Sequence, residues 1–278
     1  MQQADIRKHW EGAAPGWAKW EATVATWVEP ATTTMLAMAD INPGARVLDL
    51  ASGAGSQTLS AARRVGARGH VVASDISETM LQHVQENARA AGLENVTTLA
   101  GAAENLDVDS ESFDAVICRL GLMLFAEPAK ALAAVRRAVK PGGKVAVVVP
   151  TTPAANPFLA KPMQILLRHA GKAPPSPGQP GLFALGASGV IERLFTECGY
   201  MGIEQRTLAA PLRMPSATQA LEMMREAFGA YRAVVSDAPE AVRVAAWAEV
   251  EKMLEAFETA SGFEGPTEVL VAAASKPA

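Results

Sequence analysis

Apolar residues along this chain fall into two alternating rhythms. Apolar-rich runs at 45–50, 70–74, 96–100, 113–118 and 145–149 read as buried strands, because a strand covered on both faces shows little alternation. Between them apolar residues recur every three or four positions, the mark of a helix with one buried face. Leu59, Ala62 and Val65 set a helix over 56–65, closed by Gly66. Met80, Leu81, Val84, Ala88 and Ala91 set the next, capped by Ser77 and ended by Gly92; Leu132, Val135 and Val139 set a third over 128–139. Strands and helices in strict alternation predict an α/β fold, a doubly wound parallel sheet with right-handed crossovers.

Outside 41–150 the pattern changes. Residues 1–40 hold four of the five tryptophans, Trp10, Trp17, Trp20 and Trp27, in a stretch that predicts short helices broken around Pro15 and Gly16. This N-terminal helical arm docks on the sheet in one reading and flaps over a ligand mouth in the other. Past Pro150, a helix is expected over 156–171, a mobile loop over the Pro- and Gly-rich 173–189, and a helix capped by Ser188 and running to Cys198. Apolar runs at 202–208 and 267–274 enclose two helices, about 216–236 and 239–260, an insertion too long for a hairpin turn. The organisation is therefore an arm over 1–40, a core over 41–150, and a C-terminal part over 151–278 that carries lid helices at about 216–260.

Composition narrows the class without naming it. Of 278 residues 49% are apolar and 19% charged, the balance of a globular enzyme rather than a disordered chain. A formal net charge of -4 argues against a nucleic acid partner, which would favour a basic face. The opening residues are charged and lack an apolar segment, so no secretory signal is expected; no apolar run is long enough for a membrane span. Cys118 and Cys198, far apart in sequence, suit a reduced pair, and a cytoplasmic setting with no metal follows.

Chemistry concentrates where the first strand ends. The stretch 45–59 reads A-R-V-L-D-L-A-S-G-A-G-S-Q-T-L: a strand, the acid Asp49, a turn containing Gly53 and Gly55, then a helix start. Such a turn puts a ligand in the crevice at the strand's carboxyl end. The full G-x-G-x-x-G fingerprint is missing in either register, which favours a small nucleoside over a dinucleotide pyrophosphate. Asp75 closes the second strand twenty residues beyond Gly55, where an acid accepts hydrogen bonds from ribose hydroxyls.

V-L-D-L-A-S-G-A-G resembles motif I of the class I S-adenosylmethionine-dependent methyltransferases, in the ubiquinone/menaquinone branch, with Ala51 at the first glycine position. D-I-S-E-T-M-L at 75–81 is similar to that family's D-x-S-x-x-M-L, and K-P-G-G at 140–143 is a third mark. The resemblance implies a seven-stranded sheet whose last strand is antiparallel, S-adenosyl-L-methionine as cofactor and a small-molecule methyl acceptor. It implies a cofactor site of Asp49, Ala51, Ser52, Gly53, Gly55, Asp75, Ile76 and Met80. Ala102, Ala103 and Glu104 would lie at the adenine, Arg119 and Leu120 at the methyl group, and Trp17 or Trp20 over the sulfonium. K-P-G-G-K is expected as a tight turn into the fifth strand.

Methyl transfer to a substrate oxygen, carbon, nitrogen or sulfur needs alignment first and a base only where the nucleophile must lose a proton. Residues able to act on the acceptor are His9, Arg119, His169 and Tyr231, with Glu127 as a further base. The helical faces of the insertion, Leu221, Met224, Ala227, Phe228 and Tyr231 on one side and Val244, Trp247, Val250, Met253, Leu254 and Phe257 on the other, together with Met163 and Leu167, imply a largely apolar acceptor and O- or C-methylation. An NAD(P)-dependent oxidoreductase and a non-catalytic S-adenosylmethionine-binding protein are the alternatives, and a homodimer is compatible with all three.

Overall fold

A computed structural model of the chain describes residues 3–174, 176 and 178–278. Met1 and Gln2 of the expected arm, and Pro175 and Pro177 of the expected Pro-rich loop, lie outside the described residues. The arm is built of α1 (Gln3–Lys19), α2 (Glu21–Trp27) and α3 (Glu29–Met38). The core follows as β1 (Arg46–Leu50), α4 (Ser56–Val65), β2 (His70–Asp75), α5 (Glu78–Ala90), β3 (Val96–Ala100), β4 (Phe113–Arg119), α6 (Pro128–Ala138) and β5 (Val139–Pro150). Then come α7 (Pro157–His169), α8 (Val190–Glu197), β6 (Met201–Ala209), β7 (Leu212–Met214), α9 (Ala217–Ala227), α10 (Gly229–Val235), α11 (Glu240–Glu255), β8 (Glu258–Thr259), β9 (Gly262–Gly265) and β10 (Glu268–Ser275).

Seven strands form one sheet in the order β3-β2-β1-β4-β5-β10-β6. The first five run parallel, and β10 is antiparallel to both β5 and β6. The chain winds outward from β1 to β3, then returns to the other side of β1 as β4. Strand order therefore reverses between β1 and β4, and the tips of these two strands part to leave a crevice. The central strands are buried throughout: Val47, Leu48, Val71, Val116, Ile117, Val148 and Val149 are all closed to solvent, as apolar-rich runs require. Ser77 caps α5, its Oγ accepting from the Met80 N–H at 3.1 Å.

Several local expectations are corrected. The first helix does not break at Pro15 and Gly16 but runs through them to Lys19. Proline removes one N–H, yet Ala13 and Ala14 stay buried on the same face, and a Cβ on Gly16 would meet the Glu226 carbonyl oxygen at 2.0 Å. Gly16 is thus a close-packing residue that lets α1 lie on α9, and tertiary contact outweighs the local breaking tendency. K-P-G-G is no turn between elements. It is a bulge inside β5, where Phe113 pairs with Val139 and Ala115 already with Lys144; Gly142 takes φ 75° to make it. Val139 accordingly begins a strand instead of ending a helix, Ala91 is exposed, and Gly189 with φ 74°, not Ser188, occupies the cap of α8. The insertion holds three helices, because α9 and α10 part at Phe228, plus a small sheet in the order β7-β9-β8 that the sequence pattern did not reveal. Most of the described 173–189 segment lies outside helix and strand, as expected.

The lid and the arm share one apolar cluster. Trp27, Phe158, Met224, Tyr231, Trp247, Val250, Leu254 and Phe263 pack together, and the Trp27 indole N–H donates to the Ala210 carbonyl at 2.6 Å. Trp27 thereby pins α2 to the strand ends at the C-terminal side of the sheet. Val244, expected inward, is 62% exposed.

Candidate functional site

At the tips of β1, β2 and β4 lies a cavity of about 210 Å³, walled on the far side by the arm. Its floor is Leu50 to Ala54, Ser74 to Ile76 and Met80; one end is Gly101 to Glu104; the other wall is Arg119 to Gly121 and Leu124 to Glu127. Ile6, Trp10, Trp17, Glu21 and Val24 close it from α1 and α2.

The turn between β1 and α4 is held in a backbone shape that side chains rarely adopt. Ala51 has φ 54°, Gly53 55° and Gly55 101°; across the cavity Leu120 has φ 59°. Positive φ at a non-glycine residue is strained, and two such residues line the cavity at the strand tips. Asp75 fastens the turn: its Oδ2 accepts from the Gly53 N–H and its Oδ1 from the Ser77 N–H, both at 2.9 Å. Burial raises its carboxyl above the usual range, while those backbone N–H bonds pull it down. Each oxygen keeps a lone pair for a ligand hydroxyl at the cavity wall.

Asp49 sits one layer lower. It is fully buried behind the turn, accepts from Thr58 Oγ1 at 2.5 Å and from Gln57 Nε2 at 3.3 Å, and does not line the cavity. Burial pushes its carboxyl to about 7, against the Thr58 bond and the Arg119 charge. The expected carboxylate in the crevice is therefore a tie between β1 and the first turn of α4. Arg119 does line the cavity, but its guanidinium is bonded to Thr32 Oγ1 of the arm at 3.0 Å and Ser56 Oγ at 2.6 Å. Burial lowers its pKa, and the Glu21 and Asp49 charges oppose that.

Of the residues singled out by sequence, the cavity gathers Trp17, Ala51, Ser52, Gly53, Asp75, Ile76, Met80, Ala102, Ala103, Glu104, Arg119, Leu120 and Glu127. It does not gather Trp20, whose indole N–H donates to Glu226 at 2.6 Å, nor Gly55, which serves as the helix cap. His9, His169 and Tyr231 are also elsewhere. His9 packs beside Trp10 and Gly229, His169 lies 2.8 Å from Glu249, and the buried Tyr231 hydroxyl donates to the Leu159 carbonyl at 2.8 Å. The lid side chains named above other than Val244, with Met163, are spent on the shared apolar cluster, and none of them, nor Val244 or Leu167, reaches the cavity. Residues the sequence reading passed over are Ile6, Trp10, Glu21, Val24, Gln57, Leu124 and Phe125. Trp10 and Trp17 are seven apart, two turns of one unbroken helix, so recognising α1 as continuous would have put both on the cavity face.

Strand order with a reversal between β1 and β4, a glycine turn into α4 and an acid at the end of β2 together make the frame of a nucleoside-binding doubly wound sheet. Residues 41–170 match the family model described as a methyltransferase domain. The chain is 38% identical over 109 residues to the ubiquinone/menaquinone biosynthesis C-methyltransferase UbiE of Idiomarina loihiensis, covering 39% of this chain and 43% of that protein. It is equally 38% identical over 119 residues to the UbiE of Yersinia enterocolitica, covering 42% and 47%. The chain thus spans less than half the length of the curated relatives it matches. The YcgJ protein of Bacillus subtilis superimposes with a TM-score of 0.61 at 17% identity, over 90% of this chain and 99% of that one, which shows the shared fold.

Whether the cavity suits a nucleoside cofactor can be tested on its unpaired groups. Among the described residues, the buried side-chain polar atoms without a partner are Trp17 Nε1, Ser52 Oγ and Gln57 Oε1, and all three residues line this one cavity. Buried polar groups are almost always satisfied, so three orphans converging on one space mark a place built for a polar guest. Among the described residues no cluster of His, Cys, Asp and Glu is arranged to hold a metal ion, and no helix is long and apolar enough to cross a membrane.

Proposed function

We propose that this chain is an S-adenosylmethionine-dependent methyltransferase acting on a small, largely apolar molecule, with O- or C-methylation as the transfer. The observation that carries the reading is the convergence of Trp17, Ser52 and Gln57, each with an unpaired polar atom, on a cavity closed by Asp75. S-adenosyl-L-methionine, when bound, supplies a methyl group on a positively charged sulfur that is already an activated leaving group. The chain's own task is then positioning: alignment of reacting atoms alone is worth about 7–11 kcal/mol.

Asp75 would hold the ribose hydroxyls, and the backbone around Ala103 with Glu104 the adenine edge. Ile76 and Met80 offer apolar surface to the base. Trp17 from the arm and Leu120 from the tip of β4 bound the space toward the acceptor, where Leu124 and Phe125 add apolar wall and exclude water. The lid's side chains are absent from that wall, so acceptor choice rests on the arm and on residues 120–127. Glu127 is the carboxylate at the acceptor side, exposed and paired with Lys130 at 2.7 Å, and is the candidate to take a proton where one must leave. Similarity to C-methyltransferases of quinone biosynthesis supports a carbon or oxygen nucleophile on a flat, apolar molecule. A cytoplasmic setting and a homodimer remain part of this proposal, the second to be read by light scattering of the purified chain.

The test is transfer of a labelled methyl group from S-adenosylmethionine to a panel of quinols, phenols and other apolar acceptors, read by mass spectrometry. A product heavier by one labelled methyl, made by the parent and lost in Asp75→Ala, is expected. Binding of cofactor without product across the panel would return the chain to the non-catalytic alternative.

A further inference from the structure

The sheet ends at β6, which is bonded on one side to β10 and, among the described residues, has no strand on the other. An edge strand offers a row of unpaired N–H and C=O groups to any strand that can reach it. β6 has nine residues, of which only Ile203 and Leu208 are half-buried and the rest exposed. Ile203 packs with Ile191 and Phe195 of α8, and Leu208 with Ala31 and Met35 of α3, so the flanking helices grip the strand from opposite faces without covering it. The other edge, β3, has five residues and no charge, and its Thr97 and Thr98 hydroxyls are bonded to His70 and Gln85.

The direction of the free groups follows from one bond. The Ala210 N–H donates to the Thr267 carbonyl at 2.8 Å, and β6 pairs with β10 one for one from Ala209 to Glu204. Backbone groups alternate along a strand, so those of Leu208, Arg206 and Glu204 turn toward β10 while those of Thr207 and Gln205 turn outward. Side chains alternate as well, which puts Glu204 and Arg206 on the α3 face with Leu208, one on each side of Gln205. Among the described residues neither charged side chain has an ion pair or a hydrogen bond.

We propose that β6 is the interface of a homodimer, in which two copies of the chain pair antiparallel about a twofold axis at Gln205 and make one continuous sheet. The inference rests on the homodimer included in the function proposed above and names its surface. Centred on Gln205, the pairing sets Glu204 of each copy opposite Arg206 of the other, in the type of pair where facing side chains stand closest. The outward groups of Gln205 then bond to their own copies in the second chain. An axis at Ile203 or Thr207 would set Glu204 against Gly202 or Ala210 and leave both charges without a partner; an axis at Glu204 or Arg206 would bring like charges together. Charges on an exposed edge ordinarily repel a neighbour, but the order Glu-Gln-Arg is its own complement when the strand is reversed. No residue of β6 lines the cavity.

Sedimentation equilibrium of the full chain tests the pairing by charge reversal. The parent is expected to dimerise. Arg206→Glu and Glu204→Arg, each alone, set like charges opposite one another at both ends of the axis and are expected to weaken the dimer about tenfold or more. The double variant Glu204→Arg/Arg206→Glu, and an equal mixture of the two single variants, restore opposite charges and are expected to dimerise again. Gln205→Pro removes an outward N–H while sparing the β10 ladder, and is expected to give a folded monomer by circular dichroism and sedimentation. A dimer indifferent to all of these substitutions overturns the inference while the homodimer stands through another surface. Single variants that weaken the dimer without rescue by the double variant overturn the Glu204–Arg206 register, open-ended assemblies overturn the closed twofold, and a monomeric parent overturns the inference and the homodimer together.

Discussion

Asp49 is the residue whose sequence reading and structural place differ most instructively. An acid before a glycine turn was legible as a marker, but its direction was not, because the same strand end can send a side chain forward to the crevice or down under the turn. Buried beneath Thr58 and Gln57, its carboxyl moves from 3.8 to about 7. A raised folded-state value means that the native protein holds a proton the unfolded chain has released, so this group favours the fold at low pH and loses that contribution as pH rises through about 7. Urea unfolding at pH 4 to 8 should show the parent losing stability relative to Asp49→Asn over that window and then levelling; parallel curves would contradict it. At Asp75 the expectation concerns the ligand: Asp75→Ala should weaken S-adenosylhomocysteine by roughly 1.5–3 kcal/mol in calorimetric titration, since one charge-assisted ribose contact goes and the Gly53 turn loses its anchor. His169 and Tyr231 are held by Glu249 and the Leu159 carbonyl away from the cavity. His169→Ala and Tyr231→Phe should therefore leave the labelled-methyl rate close to the parent's, and a collapse of rate in folded protein would return either residue to the chemistry.

Among the elements, what could be read from sequence and what could not divide along one physical line. β1, β2, β4 and β5 and the helices between them were legible because burial on both faces imposes apolar-rich runs, and α5 has its own local start signal at Ser77. Features fixed by partners distant in sequence were not. Pro15 and Gly16 carry a local breaking signal, yet α1 passes through them because Gly16 meets the Glu226 backbone of α9. The small β7-β9-β8 sheet has strands of two to four residues, too short for a pattern. The same reasoning predicts the effect of filling the contact: Gly16→Ala should cost about 1–3 kcal/mol of stability and speed tryptic cleavage after Lys19, because α1 must lift from α9 to admit a methyl group. Unchanged proteolysis would mean that α1 is held by its other contacts alone.

For the molecule as a whole, the arm and not the lid walls the cavity. The lid helices pack on Trp27, Phe158 and one another, and α1 and α2 carry Ile6, Trp10, Trp17, Glu21 and Val24 over the strand tips. Sequence patterning placed the crevice at the tips of β1 and β2 and offered the arm, through Trp17, as a flap over it, but gave the acceptor-facing wall to the lid, since both segments are helical, apolar and rich in large side chains. The arm is fastened to the core at two helix starts, Glu21 on the Ser56 N–H and Glu11 on the Glu78 N–H at 2.8 Å, and to the lid by Lys19 on Glu222 and Glu226. Such surface ion pairs are individually weak, so ligand occupancy can decide how tightly the arm is held.

The central claim is that this cavity, and no other part of the molecule, takes the adenosyl cofactor. A crystal structure of the chain grown with S-adenosylhomocysteine tests it most directly. The account predicts ribose hydroxyls at Asp75, the base against Ile76 and Met80 near Ala103, and the sulfur between Trp17 and Leu120. Density for the ligand at another surface, or a cavity still without it at saturating concentration, would contradict the account.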